Sequence, residues 1–149
     1  MDLDLHRETL ARLMDEEART LADLDALLNR EHQILLRNDR VEALEDACAA
    51  RQICMGTLLR IQEERRGALR MMGLSPDAVG IDAALRLLDT SDQLRRRWIR
   101  CAEAARRCRE LNDRNGALVN SRMKRVEGML EALTGQRPAG DVYGPRGSR

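Results

Sequence analysis

Phenylalanine is absent from this 149-residue chain, and aromatic residues make up 1% of it, as Trp98 and Tyr143 alone. A β-sandwich or barrel draws on aromatic and β-branched side chains to fill its interior, so neither suits this composition. The core must come from Leu, Met, Ile, Val and Ala, as in helix bundles and coiled coils. Lysine is nearly absent too, with Lys124 the single example, so arginine carries the positive charge. Lys and Arg number 26 against 25 Asp and Glu, for a net charge of +1, which gives no long-range steering toward polyanions. The runs Arg95-Arg96-Arg97 and Arg106-Arg107 have neither a basic excess nor interleaved aromatics. They read as solvated helix faces rather than nucleic-acid contacts.

No segment approaches 18 uninterrupted apolar residues, and the N-terminus is acidic where a secretory signal is basic and then apolar. No membrane insertion is expected, and the expected location is the cytoplasm. The four cysteines, Cys48, Cys54, Cys101 and Cys108, lack metal-binding spacing. Cys101 and Cys108 lie seven apart on one helix face and read as buried thiols, so no metal and no cofactor is expected. His6 and His32 are far apart, with no Ser or Cys spaced to form a nucleophile pair. Acidic clusters such as Asp15-Glu16-Glu17 point apart on a helix, and glycine-rich phosphate loops are missing. These absences argue against an enzyme and predict no catalytic residues.

What remains is helical periodicity. Leu10, Met14, Leu21, Leu24, Leu28 and Leu35 make one apolar stripe and predict a first helix over residues 4–37. Asn38-Asp39 breaks it, and Asp39 with Glu42 makes a capping-box signal, so an antiparallel hairpin follows. A second helix over 40–72 is expected to turn Val41, Leu44, Cys48, Met55, Leu58, Leu69 and Met72 inward, with Arg51 and Gln62 interrupting the stripe. Gly73-Leu74 suits a left-handed cap, Ser75-Pro76 a new helix start, and Gly80 a separator between short helical pieces.

From Thr90 and Gln93, another capping-box pair, the positions Leu94, Trp98, Cys101, Ala105, Cys108, Asn112, Asn115, Val119, Arg122, Val126, Met129 and Leu133 alternate steps of four and three. Asn112 and Asn115 on such a seam read as register control or as polar contacts to a bound peptide, and Gly116 beside them implies a close backbone approach. Gly135 ends the helix, and the Gly, Pro, Arg and Ser content after it predicts a disordered tail. The fold class is all-α: an antiparallel bundle of three long helices plus short connecting helices over 1–135, then the tail over 136–149.

At 1.5 Å per residue the third long helix spans about 66 Å against about 50 Å for each of the others. Roughly ten residues should overhang, around Met123 to Leu133, exposing Val126, Met129, Leu130 and Leu133 as a surface for an amphipathic helix. A generic coiled-coil adaptor that self-associates through this stripe is the alternative. An all-helical mutase of the chorismate type, with Arg51, Arg65 or Arg122 on a dicarboxylate, is less favoured because the single Lys124 lies near the overhang. The oligomeric state stays open.

Trp98, then Leu111-Asn112-Asp113-Arg114-Asn115-Gly116-Ala117-Leu118, then Gly135 and Tyr143-Gly144-Pro145-Arg146-Gly147, in that order, resemble the flagellar secretion chaperone family FlgN. The resemblance implies a cytoplasmic chaperone that binds the C-terminal helical segments of hook-filament junction proteins, prevents their premature assembly and delivers them to the flagellar type III export gate. It places client binding at Leu118, Val119, Arg122, Met123, Val126, Met129, Leu130 and Leu133, and docking on the export gate at Tyr143. Ala117 stands where the family often has an aromatic.

Overall fold

A computed structural model describes residues 2–37 and 41–135. The expected tail with Tyr143, and the Asp39 capping signal, lie outside the described residues. Four helices follow in order, α1 (Leu3–Arg37), α2 (Val41–Met71), α3 (Ala78–Leu88) and α4 (Gln93–Thr134). No strand occurs among the described residues. The chain divides into two compact units, Met1–Asn112 and Asp113–Arg149.

In the first unit the α1 stripe is the floor of the core. Leu10, Met14, Leu21, Leu24 and Leu28 are all buried, together with Leu69, Met72, Ile81, Leu85, Leu88, Leu94, Cys101 and Cys108 from the other helices. The cross-contacts fix direction. Glu31 meets Arg51 and Glu17 meets Arg65, so α2 runs antiparallel to α1. Asp15 meets Arg97 and Asp25 meets Arg107, so the first half of α4 runs parallel to α1. At the far end Arg7 donates to the carbonyl of Leu88 at 2.8 Å, tying α1 to the end of α3.

The second helix departs from its expected face. Only Ala47, Ile61 and Leu69 are buried along α2, while Val41 is 68% exposed and Met55 38%. Leu44, Cys48 and Leu58 are half-buried. The reason is that α2 is held as much by ion pairs as by an apolar stripe. Arg65 lies 2.8 Å from Glu17, and Arg60 reaches both Glu16 and Glu64. The Arg65 guanidinium also stacks 5.0 Å from the Trp98 ring centre, where the π-face favours a cation.

The turn into α3 holds a second correction. Gly73, at φ 74°, ends α2 as expected, and Leu74 donates to the carbonyl of Leu69 at 2.9 Å in a Schellman cap. The next helix starts later than Ser75-Pro76 suggests, because Asp77 is the N-cap and accepts from the amides of Val79 and Gly80. Gly80 does not separate two pieces but lies inside α3. A Cβ there would stand 1.5 Å from the Ser75 carbonyl oxygen, so the turn closes only over glycine. At the start of α4 the Asp89 carboxylate, not Thr90, takes the free amides of Leu94 and Arg95 at 3.2 and 3.1 Å.

Candidate functional site

The second unit, over its described residues 113–135, is the last five to six turns of α4 closed by Gly135 at φ 69°. At 100° per residue, positions 118, 119, 122, 123, 126, 129, 130 and 133 fall within about 140° of arc, one face of the helix. Val119 (41%), Met123 (58%), Val126 (51%), Met129 (60%), Leu130 (54%) and Leu133 (80%) are exposed, whereas Leu118 and Arg122 are half-buried. The other side of the same turns carries Asn120, Ser121, Lys124, Glu127 and Glu131. The segment is therefore amphipathic, with its apolar face in water. An isolated apolar side chain on a surface is ordinary, but six along one face form the kind of patch that marks an interaction site.

The three seam residues part company. Asn115 is 1% exposed and engaged. Asn112 and Gly116 are exposed, and a Cβ on Gly116 would meet nothing within 4 Å, so no close backbone approach explains that glycine. Ala105 is exposed as well. Steps of four and three mark a broad face, and the heptad pattern does not tell its buried centre from its margins.

A feature that the periodicity did not predict lies in the first unit. Between α1, α2 and the first half of α4 opens a cleft of about 280 Å³, floored by Leu24, Leu28, Leu58 and Cys108 and edged by Met55. Two arginines, Arg51 and Arg109, stand in its walls. Arg51 lies 3.2 Å from the buried Glu31 carboxylate and 3.7 Å from the Cys48 sulfur. Its pKa is raised above the ordinary arginine value, chiefly by the contact with Cys48 and also by the charge of Glu31, against the cost of burial. Burial pushes the Cys108 thiol up as well. The signal available in the sequence was the misfit itself, Arg51 interrupting the α2 stripe. A larger hollow of about 540 Å³ between α1 and α2 is lined by Leu27, Arg30, Glu42 and Asp46 with small alanines.

Among the described residues no group of three His, Cys, Asp or Glu side chains could hold a metal ion. No described helix is long and apolar enough to cross a membrane. Of the arginines weighed for a mutase, Arg65 is occupied by Glu17 and Trp98, and Arg51 by Glu31. They share no polar pocket.

No curated protein and no solved structure matches the chain. A family model described as FlgN protein matches residues 1–149, the whole chain. With an all-helical bundle and an amphipathic closing helix in place, the chain belongs to the FlgN family of flagellar export chaperones, a non-enzymatic family that binds hook-associated proteins.

Proposed function

We propose that the exposed face of α4 between Leu118 and Leu133 holds the C-terminal amphipathic segments of hook-filament junction proteins, keeps them from assembling early and carries them to the flagellar type III export gate. The observation that carries this reading is the run of exposed Val119, Met123, Val126, Met129, Leu130 and Leu133 on one helix face. A client segment that is unfolded alone becomes helical as its own apolar stripe covers these residues, and its ordering cost limits affinity so that release remains feasible. Met123 and Met129 suit more than one client, because an unbranched thioether repacks around different shapes. Arg122, half-buried within the stripe, supplies a polar contact among its apolar residues. Tyr143 serves as the docking residue for the export gate, and the work is done in the cytoplasm.

The test is a pair of substitutions, Val126→Asp and Leu130→Asp, with binding of a hook-filament junction protein followed by calorimetry. Both positions are exposed, so helicity by circular dichroism should persist while affinity falls at least tenfold. Joint loss of helicity and binding would make the stripe part of the core. A self-associating adaptor would instead show mass rising with concentration in light scattering, abolished by the same substitutions.

A further inference from the structure

We propose that the cleft of the first unit is a second docking site, taking an apolar side chain from an acidic amphipathic helix of a partner protein, with Arg109 receiving its carboxylate. The cleft is concave where the α4 stripe is a bare helix face. Its floor of Leu24, Leu28, Leu58 and Cys108 offers no polar group to a hydrophilic ligand, and Met55 at the edge is 38% exposed. At about 280 Å³ it falls at the small end of ligand pockets, with room for one or two aliphatic side chains and little else. No aromatic lines it, so a nucleobase would find nothing to stack upon.

Charge selects the occupant. No carboxylate lines the cleft among the described residues, and Glu31, the partner of Arg51 in its wall, is 5% exposed. Arg109 is exposed, and among the described residues no ion pair engages it, in contrast to Arg97 and Arg107 on the same helix, which meet Asp15 and Asp25. An apolar floor beside the Arg109 guanidinium fits a leucine-sized anchor with a carboxylate one helical turn away, and opposes a basic segment. The site lies wholly within residues 21–112 and stands independently of the α4 stripe.

The experiment uses the full chain with methyl-labelled methionine, in which the Met55 resonance is assigned through Met55→Leu. The probe is an alanine-based helical peptide with two leucines, each one turn from a glutamate, and its control carries lysine in place of glutamate. The Met55 signal should move with the glutamate peptide and not with the lysine peptide, and Arg109→Glu should weaken the effect at least fivefold. The proposal is overturned if neither peptide moves Met55, if both move it equally, or if Met55 shifts with protein concentration alone, which would make a second copy the occupant. Met123 and Met129 report on the α4 stripe in the same spectra, so the two sites succeed or fail separately.

Discussion

The Cys101 thiol donates to the backbone carbonyl of Met14 at 3.2 Å, and seven residues on, Cys108 does the same to Leu21 at 3.4 Å. Both carbonyls lie on α1, so one seven-residue repeat on α4 is read by one seven-residue repeat on its parallel neighbour. Small side chains at these two positions let the helix backbones approach closely. The thiol hydrogen bonds are weak, and they add direction to what is mainly close packing.

These two thiols should resist modification. Burial, and then the Glu17 charge, push Cys101 up to about 11 from an ordinary 9.0, so its nucleophilic thiolate is scarce at neutral pH. In a thiol-exchange assay Cys48 and Cys54, both half-buried, should react before Cys101 and Cys108, whose release should track global unfolding. The pH dependence follows in sign. The folded state holds the Cys101 proton more tightly than the unfolded state, so the contribution to stability is complete below about pH 9 and is lost as pH rises through about 11. Chemical denaturation across that window should show the midpoint falling, and less steeply in Cys101→Ala.

Gly80→Ala should be among the most damaging single methyl additions in the chain. The new Cβ would stand 1.5 Å from the Ser75 carbonyl oxygen, an overlap that only backbone movement relieves, at a cost of about 2–3 kcal/mol. Gly116→Ala, with nothing within 4 Å of its Cβ, should instead stabilise the helix by up to about 1 kcal/mol. Asp77→Ala, which removes the N-cap of α3, should destabilise the protein, though less than Gly80→Ala. Thermal melts of the three variants rank these effects directly.

The contrast between those glycines shows where local sequence is informative. The α1 core was legible because Leu10, Met14, Leu21, Leu24, Leu28 and Leu35 recur at helical spacing and the structure buries all six. The caps at Gly73 and Gly135 were legible because each needs positive φ, which glycine adopts freely. The inward face of α2 was not, since its stripe includes the exposed Val41 and omits Ile61, which is 0% exposed. Its orientation depends on Arg51 and Arg65 finding Glu31 and Glu17 on another helix, a long-range pairing that no local period encodes. The start of α3 is misplaced by the Ser75-Pro76 signal, because Asp77 two residues on caps the helix and Gly80 packs against the Ser75 carbonyl. The exposed α4 stripe was visible as a length mismatch, whereas the apolar cleft needed three helices to be assembled first.

Tyr143→Ala should leave client affinity unchanged and weaken capture by the export gate, because the substitution lies ten residues beyond Leu133 in sequence. A client-loaded pull-down on the purified gate component measures both in one experiment. Equal recovery of both variants would remove the assigned role of Tyr143, and loss of client binding would move that residue into the client site.

The pair Glu31 and Arg51 gives the sharpest test of how the hairpin is held. Glu31 is 5% exposed, and the Arg51 guanidinium lies 3.2 Å from its carboxylate. Arg51→Met therefore removes the cation that balances this buried charge and should cost about 2–3 kcal/mol, below the full value for a buried pair because the Arg51 side chain is 24% exposed. Glu31→Leu combined with Arg51→Met removes both charges and fills the space with apolar atoms, so it should recover most of that loss in urea denaturation. If the double variant is no more stable than Arg51→Met alone, the cost lies in lost packing of the Arg51 stem rather than in the lost ion pair.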